Sequence, residues 1–388
     1  MDSAPYVSIV QMIARPLLSS LKTLGVRGVA VLALLVALPV ASASAGEDRL
    51  RTIIQSIQQN EALYENLEVR WHTRFRIGKQ KRPSPDLIAT SDEDARSVSQ
   101  AGLFYLNADG ESEDLGGGTR SRQALLGFDG THTRVFRQKA IGHIVKGRAE
   151  EHRMFRPHTA LFKYNFVYVP LSTYLQGDEA IRAHPQGGTL ADYHFIVKYL
   201  GEEECGGFTC QKVCVDYIGY ATGKPVFLTR IYLWLAPQRN YLPLKLEGYN
   251  IESSAKLPVE VAVVQELREL SPGIWFPFMA TKTSNDEYRI REDNEVVVAW
   301  QEGYAVQEAA LNPHYPLSLF REITIPDGVL VYEIENGKIV RKYVQGEPEG
   351  PGTRPSNASA RRWWIALLVS AGLAGILALI FRWRTRRA

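Results

Sequence analysis

The segment EVRWHTRFRI, residues 68–77, alternates between two kinds of side chain. Valine, tryptophan, threonine, phenylalanine and isoleucine take every second place, and arginines and a histidine fill most of the places between them. A period of two residues is that of a β-strand, whose successive side chains lie on opposite faces of a sheet. We therefore predict a strand with one dry face and one charged face.

The residues before this strand, 47–67, follow a helical period instead. Leu50, Ile53, Ile54 and Ile57 recur at the spacing of one helix face, and acidic residues open the segment, where the helix dipole favours them. We predict an N-terminal helix that packs its apolar stripe against the sheet.

Beyond the strand, the chain is a succession of further candidate strands and turns. Residues 79–98 are polar and lack a period, so we expect a long loop there and another at 110–122. Residues 170–184 suit a short helix. Glycine, asparagine and aspartate turns separate the candidate strands, which are 101–107, 123–128, 132–138, 141–147, 192–204, 208–219, 226–235, 241–251, 258–268, 273–284, 294–304 and 329–344.

One helix followed by many antiparallel strands predicts an α+β fold that is mainly β. We expect the N-terminal helix to pack on a strongly curved antiparallel half-barrel, which forms a single domain over residues 46–345.

The formal net charge of +3 is unevenly distributed along the chain. Residues 1–45 sum to +2, and residues 361–388 carry six arginines and no acid, which leaves −5 for residues 46–360. An acidic domain lacks the basic face that nucleic-acid binding requires, so we predict no nucleic-acid partner.

The N-terminal charge belongs to a targeting pattern. Residues 28–40 form an apolar run with basic residues before it and the small-residue sequence ASASA after it. This is the layout of a signal peptide, which we predict over residues 1–45 with cleavage near Ala45. An uncleaved N-terminal anchor is the alternative.

The C-terminal charge flanks a second apolar run, residues 363–381, which contains no charged residue. With a rise of about 1.5 Å per residue, such a helix would cross a bilayer. We predict a flexible stalk at 346–360 and a transmembrane helix with a basic cytoplasmic tail at 361–388. The large domain would then lie on the periplasmic or exterior side of the cytoplasmic membrane, in the cell envelope.

The sequence carries no GxSxG, HExxH, P-loop or GxGxxG motif. Gly116, Gly117 and Gly118 lie in a polar segment that suits a turn. His152 and His158 come closest to a metal cluster, but their spacing matches no common ligand pair. We predict no enzymatic activity, no metal and no cofactor.

Three cysteines, Cys205, Cys210 and Cys214, surround the Gly206-Gly207 pair. A four-residue hairpin loop would place Cys205 opposite Cys210, within disulfide reach, and an exported location permits oxidation. We predict a Cys205–Cys210 disulfide and a buried Cys214 thiol. A zinc site built from the three cysteines is a further possibility.

Aromatic side chains fall on many of the predicted strands. Core packing is one interpretation of each of them. The other is that a curved sheet with one helix cannot fill its own concave face, so that the remaining space binds an apolar ligand. The candidate cavity residues are Trp71, Phe75, Phe104, Phe128, Phe136, Trp234, Trp275 and Trp300.

The helix end YENLEV, followed at once by the strand RWHTRFRI, resembles the start of LolA/LolB-type lipoprotein-carrier domains. RseB-like periplasmic regulators share that fold. The segments GFDGTHTR (127–134), YLWLAPQRNYLPLKLE (232–247) and PGIWFP (272–277) are similar in style. ITIPDGVLVY (323–332) resembles the C-terminal strands of large exported versions from planctomycete-type bacteria.

This resemblance implies a half-barrel around a hydrophobic cavity that binds an acyl chain or a lipoprotein without catalysis. We therefore expect a membrane-tethered, outward-facing domain that holds a lipid, an acyl chain or another hydrophobic ligand in its concave face. The alternative is an RseB-like regulatory or scaffolding protein that binds an envelope protein partner.

Overall fold

The strand predicted over residues 68–77 lies at the centre of the fold. Within the residues that the structure describes, β1 (Leu67–Ile77) is the middle strand of a 15-stranded sheet, with seven strands on either side. The structure is a computed structural model, and it describes residues 46–78, 88–137, 141–149, 154–162, 169–184, 193–221 and 224–347.

Helices and strands are numbered in chain order. Helix α1 spans residues 46–62. The other helices are α2 (Leu171–Gln176), α3 (Asp178–Ala183), α4 (Glu287–Asp293) and α5 (Ser318–Arg321), with 3-10 turns at Pro157–Phe162 and Pro237–Arg239. The other strands are β2 (Ile88–Gln100), β3 (Leu103–Asp114), β4 (Thr119–Phe128), β5 (His132–Arg137), β6 (Gly142–Lys146), β7 (Tyr193–Cys205), β8 (Phe208–Ala221), β9 (Lys224–Ala236), β10 (Leu242–Asn250), β11 (Glu260–Ser271), β12 (Ile274–Asn285), β13 (Val298–Leu311), β14 (Leu330–Glu335) and β15 (Lys338–Val344).

The sheet consists of two antiparallel meanders that meet at β1. Strands β1 to β6 extend in chain order on one side, and β13 back to β7 extend on the other. β13 pairs directly with β1, where Trp71 lies opposite Val306. β14 and β15 lie beyond β6, and β14 runs parallel to β6. The predicted antiparallel arrangement is wrong at this one pair.

The sheet is open and strongly curved, and its inner face carries the core. Register shifts interrupt several strand pairs, one between Arg70 and Trp71 and three along β11. Bulges of this kind bend and twist a strand. α1 packs on the inner face through Ile53 and Ile57, both fully buried. The mainly β fold with an N-terminal helix on a curved sheet is confirmed.

The loop expected over residues 79–98 is wrong for its second half, which forms part of β2. The inward positions of β2 include Ser91, Ala95 and Ser97, all of them buried. Small side chains such as these carry no apolar period, so the sequence pattern does not reveal the strand. Residues 110–122 are likewise mostly the ends of β3 and β4, joined by a tight turn.

The chain between β13 and β14 crosses the outer face of the sheet, and we call residues 312–329 the strap. Phe320 is fully buried under this crossing, and Ile323 lies over Gly127 of β4. A Cβ at Gly127 would lie 2.6 Å from Ile323 Cγ1 and 2.7 Å from the Phe320 carbonyl oxygen. The strap can pass this closely because residue 127 has no side chain. It delivers β14 to the far side of β6, which explains the parallel pair.

The predicted signal peptide (1–45), transmembrane helix (361–388) and nearly all of the stalk (346–360) lie outside the described residues, so they stay predictions. Among the residues that are described, no helix is both long enough and apolar enough to cross a membrane.

We expect Gly127→Ala to lower the free energy of unfolding by about 1–3 kcal/mol, because the added methyl group overlaps the strap. The midpoint of urea unfolding measures the change. Gly303→Ala is the matched control, since its Cβ would meet the Ala280 oxygen at 3.5 Å, an ordinary contact. Equal midpoints for the two variants would contradict the close passage of the strap.

Candidate functional site

The inner face of the sheet carries one continuous apolar cluster. Three of the aromatic residues singled out from the sequence belong to it, namely Trp71, Phe104 and Phe128. Phe104 and Phe128 stack across β3 and β4 with 5.5 Å between their ring centroids. The cluster also takes in α1, so that part of the concave face is filled by the helix.

The other predicted cavity residues lie elsewhere. Phe75 and Trp300 are half-buried neighbours, with 5.8 Å between ring centroids, at one end of β1 and β13. Trp234 and Phe136 belong to two smaller clusters that are separate from the main one. Trp275 alternates along β12 with core residues and so lies on the opposite face. The structure therefore does not bring the eight residues together.

Two chain segments, residues 154–162 and 169–184, pack over the inner face, and we call them the cover. The first contains the 3-10 turn Pro157–Phe162, and the second contains α2 and α3, where the sequence predicts a short helix. Among the described residues, α1 and the cover pack on the concave face. The side chains that the cover adds to the apolar cluster are Met154, Phe155, Leu161, Val169, Leu171, Tyr174, Leu175 and Ile181.

Phe155 of the cover packs among three aromatic rings of the sheet. Its ring centroid lies 5.2 Å from that of Trp71, 5.5 Å from that of Phe276 and 5.2 Å from that of Tyr304, the last in an edge-to-face arrangement. Such pairs are favourable beyond the area they bury. Phe155 thus occupies the space beside these rings that an apolar ligand would need.

Side-chain hydrogen bonds fasten the cover to the rest of the fold. His158 Nε2 lies 2.8 Å from the carbonyl oxygen of Asn240. At the start of α2, the carboxylate of Glu61 accepts a hydrogen bond from the Leu171 N–H at 2.6 Å and another from the Ser172 hydroxyl. Glu61 belongs to α1, so it joins the cover to the N-terminal helix.

A third fastening lies at α3, where the Asp178 carboxylate accepts a hydrogen bond from the backbone N–H of Phe195 at 2.7 Å. Gly177, with φ of 86°, separates α2 from α3. Within the described residues, no hydrogen bond between backbone groups joins the cover to the sheet. The cover is therefore held by apolar packing and a few side-chain contacts.

The imidazole of His158 is buried at the cover. Burial lowers the pKa of His158 below its ordinary value of 6.5, although the charge of Glu61 and the Asn240 carbonyl oppose this effect. Removal from water disfavours the charged form of a side chain. His158 is accordingly neutral while the cover is in place at neutral pH.

Three charged side chains are buried at one end of the inner face, and we call Glu260, Lys282 and Glu302 the polar end. Lys282 Nζ lies 2.8 Å from Glu260 Oε1, with side-chain exposures of 7% and 11%. Glu302 lies directly opposite Lys282 on β13. The 3-10 turn of the cover leaves a cavity of about 10 Å³ beside Lys282 and Glu302, enough for one water molecule.

Two buried polar atoms next to Phe155 have no hydrogen-bond partner in the described part of the chain. They are Nε1 of Trp71 and the phenol oxygen of Tyr304. The two residues are 4% and 6% exposed, and Tyr304 also lines the small cavity. Burial raises the pKa of Tyr304, so its hydroxyl stays protonated. An unpaired buried donor costs about 1–3 kcal/mol.

A larger opening lies on the outer face, between the strap and strands β3 and β4. Its volume is about 410 Å³. It holds no cluster of charged groups comparable to the polar end. Its lining residues are Tyr105, Leu125, Tyr315, Pro316, Ser318, Leu319, Glu322, Ile323 and Thr324.

The cysteines lie on β7 and β8. The expected four-residue loop is wrong, because Gly206 and Gly207 alone form the turn and Cys205 lies opposite Phe208. All three thiols are free, and the Cys210 thiol donates to the Cys205 carbonyl at 3.8 Å. The predicted Cys205–Cys210 disulfide stays a prediction. Cys214 is buried, as expected.

Among the described residues, no group of three His, Cys, Asp or Glu side chains could hold a metal ion. His158 is a buried anchor of the cover, and His152 lies outside the described part of the chain.

Sequence reasoning missed Phe155, Tyr304 and Lys282. Phe155 lies in a stretch without a period, so nothing marks it as a core residue. Tyr304 and Lys282 lie on predicted strands, and the alternation with apolar neighbours along β12 and β13 places both on the inner face. A lysine at an inward position of a predicted strand, such as Lys282, is the signal from which the sequence could have indicated a polar site on this face.

No protein-family model matches the chain, and no curated protein matches it in sequence. Two solved structures are similar to it at 12% identity and a TM-score of 0.35. One is described as an outer membrane lipoprotein-sorting protein domain from Vibrio parahaemolyticus, and the match covers 72% of this chain and 98% of that one. The other is a DUF1329 family protein from Desulfovibrio piger, with 70% and 96% covered.

We expect Tyr304→Phe to keep or raise the free energy of unfolding, by up to about 1–2 kcal/mol, because it removes an unpaired buried hydroxyl. Tyr64→Phe is the matched control, since the Tyr64 hydroxyl donates to the Trp275 carbonyl, and its loss should cost about 1 kcal/mol. Urea unfolding measures both. A greater loss for Tyr304→Phe than for Tyr64→Phe would show that the Tyr304 hydroxyl is paired.

We also expect the cover to open more readily as the pH falls below 6.5. The released imidazole of His158 then binds a proton that the buried imidazole, with its lowered pKa, does not bind. The free energy that favours the closed cover over the open one therefore becomes smaller as the pH falls. Hydrogen exchange of residues 154–162, corrected for intrinsic rates, measures opening between pH 7.5 and 5.5. The variant His158→Gln should lose this pH dependence. Constant protection of the wild type over this range would refute the expectation.

Proposed function

We propose that this protein binds a ligand with an aliphatic chain on the inner face of its sheet. The ligand would occupy the space that the cover fills when no ligand is bound. The observation that carries the proposal is the attachment of the cover. It fills a continuous apolar face through side chains, while no described backbone hydrogen bond ties it to the sheet. An element held in this way can leave without disrupting a β-ladder.

The construction of the cover supports its displacement. α2 and α3 have six residues each, and helices this short are not stable without tertiary packing. Their release exposes apolar side chains of the inner face to water. A bound chain restores that burial, with about 0.8 kcal/mol gained for each methylene group. The exchange thus replaces one set of apolar contacts with another.

The proposed activity involves no covalent step. Binding by burial of apolar surface requires only the inner face and the cover, and the sequence contains none of the common catalytic motifs. A lipid, or a lipoprotein with its acyl chains, is the ligand that the sequence resemblance implies. We place the domain outside the cytoplasmic membrane, tethered by residues 361–388, on the basis of the apolar run and its arginines.

We expect Glu61→Ala to accelerate ligand entry about fivefold, because it removes the cap that holds the start of α2 to α1. The full-length protein is mixed for timed intervals with an acyl probe that bears a diazirine at its chain end, and then illuminated. Mass spectrometry gives the rate of labelling of peptides from β3 and β4.

Glu65→Ala is the control, because Glu65 is exposed on the same stretch of chain, and it should label at the wild-type rate. The proposal fails if the wild type shows no labelling of these inner-face peptides at saturating probe. Equal rates for the two variants would instead remove the role of Glu61 in fastening the cover.

A further inference from the structure

We infer that the bound chain is an acyl chain held by its carbonyl group, ester or amide, which accepts hydrogen bonds from Trp71 Nε1 and the Tyr304 hydroxyl. This inference rests on the proposed function, since it assigns the polar contact within the same site.

The first argument is that the inner face presents two donors without partners at one place. Trp71 and Tyr304 lie on the paired strands β1 and β13, where Trp71 is opposite Val306 and Tyr304 is opposite Thr73. Residues so related are diagonal neighbours on one face of the sheet. Both rings contact Phe155, so both border the space that Phe155 vacates when the cover leaves.

The second argument is the chemistry of the two groups. The indole N–H can only donate a hydrogen bond, and a protonated phenol donates one. The ligand group that pairs with them must therefore be an acceptor, and a carbonyl oxygen has two lone pairs with which to accept from both. Since neither donor has a described partner in the closed state, the ligand gains hydrogen bonds that the cover does not provide.

The third argument is the charge beside the site, which disfavours an anionic acceptor. The polar end contains one cation and two carboxylates, with Lys282 already 2.8 Å from Glu260. A carboxylate or phosphate next to Tyr304 would meet a formal excess of negative charge in a buried setting, where screening is weak. A carbonyl carries no net charge, and every ester-linked or amide-linked acyl chain has one at its polar end.

The cavity of about 10 Å³ is a fourth argument, because it provides unfilled space at the proposed site. It is lined by Tyr304, Lys282 and Glu302 together with Ala160 and Leu161 of the cover. The closed protein therefore leaves unfilled space beside Tyr304, one of the two donors. From there the aliphatic chain would follow the apolar cluster away from the polar end.

The test compares two lipids that differ in their carbonyl groups. The full-length protein in mild detergent is labelled at β3 and β4 with a diazirine-bearing diacylglycerol, and unlabelled dihexadecanoylglycerol or its dihexadecyl ether analogue competes. We expect the ester to displace the label at a concentration about tenfold lower than the ether. In Tyr304→Phe and in Trp71→Phe, this preference should fall to within about threefold.

Trp234→Phe is the control, because it removes an indole from a different cluster and should keep the full preference. A diamide analogue, as a third competitor, ranks the amide source of the carbonyl against the ester source. The carbonyl assignment would be overturned if ester and ether displaced the label equally in the wild type, or if both variants kept the ester preference. In either case, labelling of β3 and β4 would still support the proposed function. Absence of that labelling would reject the proposed function itself.

Discussion

The strongly curved sheet, with fifteen strands in the described part of the chain, presents an inner apolar face far larger than one helix can bury. α1 contributes Ile53 and Ile57 to that face, and the rest of the face needs another partner. Apolar surface left in water costs about 25 cal/mol for each Å². The chain meets this requirement with the cover, which adds side chains but no strand. The weak attachment of the cover follows from this solution, because elements that lie across the inner face cannot share the hydrogen-bonded ladder.

The closed state is a compromise at Phe155. Its ring packs against the rings of Trp71, Phe276 and Tyr304. A hydrocarbon side chain, however, cannot accept a hydrogen bond from the indole N–H or the phenol O–H of the first and last of these. A ligand shifts an equilibrium only by its differential affinity for the two states. In the proposed exchange, an aliphatic chain replaces the apolar contacts of the cover with contacts of the same kind. The two unpaired donors would then supply the difference that favours the state with ligand bound.

The sequence predicts the elements whose period is clear. The alternation in β1 and the helical stripe of α1 are local patterns, and both elements form as expected. The sequence does not predict β2, because the small side chains of Ser91, Ala95 and Ser97 form no recognisable apolar period. Their burial depends on the residues that pack above them. The first segment of the cover is not predicted for a related reason: Phe155 lies in an irregular stretch and Leu161 in a 3-10 turn, where no period exists. The sequence predicts Trp71 as a cavity residue because it lies on a regular strand. That Trp71 and Tyr304 are neighbours follows only from the pairing of β1 with β13, which joins residues far apart in the chain.

Contacts on the outer face hold β1, the strand that carries Trp71, independently of the cover. Glu68 lies three residues before Trp71 on β1, and the alternation of the strand places it on the outer face. It is 7% exposed and accepts hydrogen bonds from Arg96 at 2.8 Å and from the Tyr315 hydroxyl at 2.7 Å. Burial alone would raise the pKa of Glu68, but these two hydrogen bonds and the positive charges of Arg96 and Arg70 together outweigh it, and the pKa is lowered. The carboxylate thus stays ionised and keeps both partners, one from β2 and one from the strap.

The strap is joined to the sheet a second time, since Gln100 and the backbone of Tyr315 exchange hydrogen bonds at 3.0 and 2.7 Å. β1 is accordingly held from outside by polar contacts that are independent of the cover. A binding site is most exact when its groups lie on elements fixed by such supporting contacts. Under the proposed function, opening of the cover would remove Phe155 from the site without disturbing the strand that carries Trp71. The part of the site that moves and the part that recognises the ligand would then be different segments of the chain.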